Sequence, residues 1–259
     1  MRRIRLWQRD FDIVASLARS PMTTSQIAQL HGVPLKKCRE RLCDLERAGF
    51  VKRMPYVLFA KQGKPENLYY LGKPPKDSTV QHLVGIGWLH VASVMFLREA
   101  KAYKGEFYFT HERQSFAGII PDATLALHKD DKRALILFEL DTGAEAVRSV
   151  LAQKICRYAQ GFDTLAYLRE WPGIRGFRVC LLVPAGRIST VQQLITQEQH
   201  DFVLLATLDA LREKGLHAPI WLTHDGNRVN ILGRPGELIG DDIGEKLGTQ
   251  NPSNERESR

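Results

Sequence analysis

The chain contains 259 residues with 44% hydrophobic and 25% charged side chains, a composition typical of a soluble globular protein. No run approaches the roughly 18 uninterrupted apolar residues of a membrane helix, and the basic first residues lack the apolar core of a signal peptide. Four scattered cysteines without a CxxC pair argue against a disulfide framework or a structural zinc site. We therefore expect a cytoplasmic protein that does not insert into a membrane.

The net charge of +8 is distributed unevenly along the chain. Residues 1–76 carry 16 Lys and Arg against 6 Asp and Glu, whereas the rest carries 21 against 23. Because the whole basic excess lies in the first third, that segment is predicted to bind a nucleic acid. A membrane surface would attract the same charge, but the segment has no basic helix with a broad apolar face.

Three helices are predicted in this basic segment, in the order of a helix-turn-helix domain. The first extends over residues 8–18, where apolar residues recur at helical spacing. Its predicted buried stripe consists of Phe11, Val14, Leu17 and Ala18. Thr23 and Gln26 form a predicted capping box for a short second helix, which Gly32 ends.

The third helix is basic and amphipathic, and two β-like segments follow it. Its predicted apolar stripe is Leu35, Cys38, Leu42 and Leu45. The β-like segments, with Gly63 and Pro65 in the turn, predict a hairpin that completes a winged helix. The third helix would enter the major groove and the hairpin would lie along phosphates. The predicted DNA-binding residues are Lys36, Lys37, Arg39, Arg41, Lys52, Arg53, Lys61 and Lys64. The alternative is a helical core whose solvated face is basic by chance.

The composition divides the chain into three regions. Residues 72–79 are rich in Gly, Pro and Lys and read as a linker. A long apolar helix over residues 82–100 follows, and we assign it to a second domain. The predicted regions are a DNA-binding domain over residues 1–76, an α/β domain over residues 77–232 and a disordered tail over residues 233–259.

Strand-like and helical segments alternate in the second domain, which predicts an α/β fold with a mixed sheet. Residues 124–128 and 133–140 predict a hairpin whose turn is the sequence KDDK. Asp122 stands just before the first of these strands, and Glu139 and Asp141 close the second. Burying carboxylates at the ends of apolar strands is expensive, so these positions suggest a function.

The three carboxylates are predicted to converge with a lysine and a tyrosine. Glu139 and Asp141 project from one face of a strand, about 6–7 Å apart, and Asp122 approaches them from the partner strand. Lys154 and Tyr158 lie one turn apart on the following helix. Such a group suits Mg²⁺ or Mn²⁺, which also bind phosphate oxygens, with the lysine stabilising charge that develops on phosphorus.

The alternative interpretation of the same residues is structural. The acids would then cap turns and the start of a helix, Lys154 would be a solvated helix lysine, and Tyr158 would pack with its hydroxyl bonded.

The sequence PD followed by ELD resembles the metal-binding signature of the PD-(D/E)xK, restriction-endonuclease-like fold. Asp122 and Glu139 match the two acidic positions of that signature, whereas Asp141 stands where a lysine is expected. Migration of the lysine to the next helix occurs in that superfamily, and Lys154 is placed for it. Lys154 and Tyr158 together resemble a helical motif that follows the site in some of these nucleases. The resemblance implies a mixed-sheet, nuclease-like domain after the winged helix.

The combination of the two domains, over about Arg9 to Thr223, resembles the plasmid replication-relaxation family, and within it the C class of conjugative relaxases (MobC-like mobilisation proteins). This resemblance implies a bacterial, metal-dependent enzyme that nicks double-stranded DNA at a transfer origin. An accessory mobilisation protein and a secretion coupling protein are the further partners it implies. It also adds His111 and Glu112 to the catalytic candidates, although a histidine at a strand end is often structural.

Two functions therefore stay open. The first is a nicking endonuclease that uses carboxylate-bound metal and water, because the eight histidines form no H-x-H pair of the commoner relaxases; a covalent tyrosine step also stays open. The second is a non-enzymatic DNA-binding regulator or replication accessory protein with a decayed nuclease fold. We predict the first, and the replacement of the expected lysine by Asp141 keeps the second open.

Overall fold

The computed structural model describes residues 4–56, 66–112, 115–143, 146–198 and 200–232. The predicted tail and two predicted DNA-binding residues, Lys61 and Lys64, lie outside the described residues.

The basic segment forms three helices and a small antiparallel sheet. The helices are α1 (Gln8–Arg19), α2 (Thr24–Leu30) and α3 (Leu35–Arg47). The strands are β1 (Met22–Thr23), β2 (Lys52–Tyr56) and β3 (Glu66–Tyr70), which pair in the order β1-β3-β2. The helix order and the two hairpin strands agree with the sequence-based prediction.

Local sequence signals predicted α2 correctly. The Thr23 hydroxyl accepts a hydrogen bond from the Gln26 amide at 3.3 Å, and the Gln26 side chain accepts one from the Thr23 amide at 2.8 Å. The predicted capping box is therefore confirmed. Gly32 follows the helix with a φ of 62°, a left-handed conformation that glycine adopts at little cost.

The inward face of α1 matches the predicted stripe at Leu17 and in part at Val14, but not at Phe11. Phe11 is 56% exposed, and the buried residues are Asp10, Ile13 and Leu17. The buried Asp10 forms an ion pair with Arg41 of α3, at 2.5 Å, so a charged residue occupies part of the inward face. The apolar pattern alone does not reveal this pair.

The rest of the described chain is built on a seven-stranded mixed sheet. In chain order its strands are β4 (Lys104–Phe109), β5 (Ala123–Lys129), β6 (Lys132–Leu140), β7 (Ile174–Leu182), β8 (Val203–Ala206), β9 (Trp221–Leu222) and β10 (Arg228–Val229), and they lie in the sheet in the same order. The pairs β4–β5, β5–β6, β8–β9 and β9–β10 are antiparallel, whereas β6–β7 and β7–β8 are parallel. The predicted mixed α/β class and the hairpin turn at Asp130 and Asp131 are confirmed.

Helices cover both faces of this sheet. On one face lie α4 (Asp77–Glu99) and α8 (Leu208–Lys214), and on the other lie α5 (Ala152–Asp163), α6 (Tyr167–Glu170) and α7 (Ile188–Gln197). A π-helical turn over Val147–Leu151 leads into α5. Residues of β6 alternate between the two cores, so Phe138 packs toward α4 whereas Leu137 packs toward α5. The same alternation directs Glu139 toward α5.

Helix α4 joins the three-helix segment to the sheet. It begins at Asp77, earlier than the predicted start at residue 82, and it contributes Trp88 to the first core and Leu89 to the sheet core. By length and composition α4 could cross a membrane, but 67% of its apolar window is buried inside the structure, as in a core helix of a soluble protein. The start of α4 coincides with the predicted boundary after residue 76. The division into two domains stays a prediction, because α4 belongs to both cores.

Candidate active site

The predicted acids lie at one end of neighbouring strands. Asp122 precedes β5, and its amide donates to the Phe138 carbonyl of β6 at 3.0 Å. Its Oδ2 accepts a hydrogen bond from the Leu140 amide at 2.7 Å. Asp141 follows β6, and its amide donates to the Leu182 carbonyl of β7 at 2.9 Å. Glu139, near the end of β6, thus lies between Asp122 and Asp141, whose positions are fixed by backbone hydrogen bonds.

Glu139 is buried and receives two hydrogen bonds from α5. Its Oε1 accepts from the Tyr158 hydroxyl at 2.6 Å, and its Oε2 lies 3.1 Å from the Lys154 ammonium. The side chain of Glu139 is only 4% exposed, whereas that of Lys154 is 30% exposed. Lys154 and Tyr158 reach the same carboxylate because they are one helical turn apart. The structure therefore brings together the three predicted residues of β6 and α5.

The electrostatics of this group raise the pKa of both Glu139 and Tyr158. Burial and the neighbouring Asp122 carboxylate raise the pKa of Glu139 to about 7, against the opposing effect of Lys154. Burial and the Glu139 carboxylate raise the pKa of Tyr158 well above its ordinary value. Tyr158 is therefore a protonated phenol that donates to Glu139, which does not favour a role as a phenolate nucleophile.

A histidine that the sequence did not indicate contacts Asp122. His82, near the start of α4, places its Nε2 3.2 Å from the Asp122 Oδ1. The hydrogen bond to Asp122 raises the pKa of His82, against the effect of burial. His82 lies far from Asp122 in sequence and belongs to no recognisable motif, so only the tertiary structure shows the contact.

Asp141 pairs with an arginine that the sequence did not indicate. Its Oδ2 forms an ion pair with Arg187, and its Oδ1 accepts from the Gly143 amide at 2.7 Å. Arg187 comes from the connection between β7 and α7, and it too was missed by the sequence analysis. The carboxylate of Asp141 is only 3% exposed, and its charge is paired with that of Arg187.

The structure places His111 and Glu112 at a different contact. Glu112 accepts from the Phe109 amide at 2.7 Å and pairs with Arg19 of α1 at 3.1 Å. Burial acts to raise the pKa of Glu112, but the hydrogen bonds from Arg19 and Phe109 lower it overall. His111 is exposed and stacks on Phe109, with 5.7 Å between ring centroids. Within the described residues, neither side chain hydrogen-bonds to Asp122 or Glu139, and Glu112 instead ties α1 to the sheet.

The predicted DNA-binding residues divide into surface and structural groups. On α3, Lys36, Lys37 and Arg39 are exposed. On β2, Lys52 and Arg53 are exposed as well, although Lys52 donates to the Gly72 carbonyl and Arg53 pairs with Glu46.

Arg41 belongs to the structural group. Besides its ion pair with Asp10, it donates to the Arg5 carbonyl at 2.7 Å and lies over the Trp7 ring at 4.9 Å. Its side chain is 20% exposed, and its charge is paired with that of Asp10.

Asp122 and Glu139 would supply only part of the coordination of a divalent cation, and water or substrate oxygens would supply the rest. Among the described residues, no group of three or more His, Cys, Asp or Glu side chains is arranged to hold a metal ion. Asp122 and Glu139 are close enough for the charge of one to raise the pKa of the other. Two carboxylates completed by water and phosphate oxygens are a usual Mg²⁺ environment. Asp122 and Glu139 are therefore the candidate ligands of the predicted ion.

No protein-family model matches the chain, and no curated protein is significantly similar to it.

Proposed function

We propose that the chain is a metal-dependent endonuclease that nicks DNA. The observation that carries the proposal is the 3.1 Å contact between the Lys154 ammonium and the Glu139 carboxylate. The lysine missing from the signature after Glu139 thus has a counterpart in space. A buried acid with a strongly shifted pKa beside a specific charged partner is typical of functional sites.

Each residue of the site has its own role in the proposed reaction. Asp122 and Glu139 would hold Mg²⁺ or Mn²⁺, which when bound supplies Lewis-acid stabilisation of a phosphodiester. Lys154 directs its ammonium to the edge of the site, where it stabilises the charge that develops on the phosphoryl oxygens. Tyr158 orients Glu139 through its hydroxyl, and His82 orients Asp122.

The basic segment would bring this site to DNA. Its three helices and β1-β3-β2 sheet support a winged-helix arrangement, in which α3 enters the major groove. The exposed charges of Lys36, Lys37 and Arg39 lie on α3, as this docking requires. The mixed sheet with acids at the ends of β5 and β6 supports a restriction-endonuclease-like body.

The finer assignment rests on the sequence resemblance. It makes the protein a bacterial, cytoplasmic conjugative relaxase that acts at a transfer origin, together with an accessory mobilisation protein and a secretion coupling protein. The protonated state of Tyr158 favours attack by water over a covalent tyrosine intermediate.

One observation favours the second function, a DNA-binding protein with a decayed nuclease fold. Asp141 is neutralised by Arg187, and Glu112 by Arg19, so only two of the predicted acids remain for an ion. Such a protein would bind DNA through α3 and would not cut it.

Relaxation of a supercoiled plasmid that bears the candidate transfer origin tests the proposal. We expect open circles with Mg²⁺ or Mn²⁺ and none with EDTA, and we expect Asp122→Asn and Glu139→Gln to abolish nicking while DNA binding persists. Lys154→Met should lower the rate about 10²–10³-fold, because one electrostatic stabiliser is lost. Arg157→Met, an exposed cation on the same helix, is the matched control and should stay active.

The outcomes separate the two functions. A wild type that binds the plasmid but never nicks it, with any of these ions, would favour the decayed fold. Nicking that survives both carboxylate substitutions would show that the assigned site is wrong.

A further inference from the structure

A cleft of about 430 Å³ lies where the basic segment meets α4. Helix α1 contributes Arg19 to its lining, and the end of α2 contributes His31. Helix α4 contributes His90 and Arg98, which lie about two turns apart on one face of the helix. Arg98 is about 24 Å along α4 from His82, at ~1.5 Å per residue, so the cleft is separate from the proposed cleavage site.

His90 is a buried polar side chain without a partner. The residue is only 5% exposed, and its ring packs against Phe107 and Phe109 with 5.1 and 5.0 Å between ring centroids. Neither ring nitrogen hydrogen-bonds to a described residue, and of the two only Nδ1 is fully enclosed. Nε2 is therefore the atom through which the ring can reach a ligand in the cleft. A buried donor without a partner is costly, so a ligand that accepts a hydrogen bond here would be stabilised.

Two arginines of the cleft retain unused hydrogen-bond donors. Arg19 uses Nε and Nη2 to bind Glu112 and the Phe107 carbonyl, and its Nη1 has no partner within the described residues. Arg98 is exposed, and it donates to the Met95 sulfur at 3.7 Å, which is a weak acceptor. No carboxylate in the described part of the chain pairs with Arg98. Each guanidinium can therefore donate to a further group.

The positive groups of the cleft act on its two histidines. Burial and then the charge of Arg19 lower the pKa of His90 to about 4. Burial and the charge of Arg98 lower the pKa of His31, against the opposing effect of Asp12. Both rings are therefore neutral near pH 7, and a neutral imidazole still donates one hydrogen bond.

The two acids near these donors already have partners. Glu112 pairs with Arg19 at 3.1 Å. Asp12 lines the cleft and is exposed, and its Oδ1 accepts a hydrogen bond from the Gln8 side chain at 3.0 Å. The charge of Arg98 is thus the one that a bound anion would offset.

We infer that this cleft binds a phosphate group through Arg98, Arg19 and the Nε2 of His90. A guanidinium presents planar N–H donors that match phosphate oxygens. The several oxygens of a phosphate can accept from all three side chains at once, whereas a carboxylate offers only two. A metal ion would be repelled by the two arginines. The phosphate can belong to a free ion or to the DNA backbone, and these sources share the same recognition chemistry.

Calorimetric titration of the whole chain with inorganic phosphate tests the inference, at constant ionic strength and in EDTA. Wild type should bind one phosphate, and chloride should give no binding. Arg98→Gln removes the charge at an exposed position and should weaken phosphate binding by at least about tenfold. His90→Phe keeps an aromatic ring beside Phe107 and Phe109 but removes the donor, and it should weaken binding similarly. Arg169→Gln, at an exposed position on α6, is the matched control and should bind as wild type does.

Titration with DNA in EDTA identifies the source of the phosphate. If it belongs to the DNA backbone, Arg98→Gln also lowers DNA affinity and reduces the salt slope of that affinity by about one. If it belongs to a free ion, DNA affinity stays at the wild-type value. Both results uphold the site.

Two results would overturn the inference. One is a wild type that does not bind phosphate in preference to chloride, and the other is phosphate binding that Arg98→Gln leaves unchanged. Thermal unfolding verifies that each variant is folded, and Arg98→Gln decides the matter if His90→Phe unfolds. None of these measurements depends on nicking, so the phosphate site and the proposed nuclease stand or fall separately.

Discussion

Replacing Glu139 with glutamine should change how the stability of the protein depends on pH. Burial and the Asp122 charge raise the pKa of Glu139 from an ordinary 4.5 to about 7 in the folded protein. The folded state therefore holds a proton that the unfolded chain has lost, and stability falls as the pH rises through this window. At about 1.4 kcal/mol per pH unit, the wild type loses about 3 kcal/mol between pH 4.5 and 8 through this group. Glutamine cannot ionise and lacks this loss.

Urea unfolding in EDTA, followed by circular dichroism at several pH values, measures the effect. We expect the free energy of unfolding of Glu139→Gln, relative to wild type, to rise by about 3 kcal/mol from pH 4.5 to 8. Glu213→Gln, at an exposed position on α8, is the control and should follow the wild-type curve. Parallel curves for wild type and Glu139→Gln would refute the argument that Glu139 is an acid whose protonated form the fold stabilises.

Three further predictions address the partners of the acids and the DNA-binding surface. Arg41→Met leaves Asp10 buried without its cation, so the free energy of unfolding should fall by about 3–5 kcal/mol in urea; a loss below about 1 kcal/mol would contradict a structural role. Lys37→Glu changes an exposed residue, so the free energy of unfolding should stay within about 0.5 kcal/mol of wild type. DNA affinity and its salt dependence should decrease in anisotropy titrations. Unchanged affinity would mean that DNA binds at another surface. His82→Ala removes the hydrogen bond to Asp122 and should weaken Mn²⁺ binding about 10–100-fold by calorimetry; equal affinity would remove His82 from the site.

Features encoded by neighbouring residues could be predicted from the sequence. The Thr23–Gln26 capping box and the KDDK turn depend on contacts within four residues, and both are present. The contact of Lys154 and Tyr158 with Glu139 could also be predicted, because a strand followed by a helix that packs on it restricts which faces meet. For these contacts, the sequence pattern was enough to predict which side chains meet.

Contacts between distant segments could not be predicted in this way. His82 and Arg187 reach Asp122 and Asp141 only because α4 and the β7–α7 connection pack at the same end of the sheet. Arg41 was assigned to DNA because helix periodicity treats a charge off the apolar stripe as solvated. Its partner Asp10 lies on another helix, so the burial of the pair is a tertiary property.

The partners of the acids also indicate which carboxylates a bound cation would stabilise most. Asp141 has Arg187, and Glu112 has Arg19, so each of these carboxylates is offset by a guanidinium. Glu139 has the Lys154 ammonium, yet its pKa remains raised to about 7, because burial and the charge of Asp122 outweigh that lysine. The remaining repulsion between two neighbouring carboxylates destabilises the ionised site, and a divalent cation bound to both would relieve it. The two carboxylates that repel each other thus lie where the proposed chemistry requires a metal ion, beside the lysine that would face the phosphate.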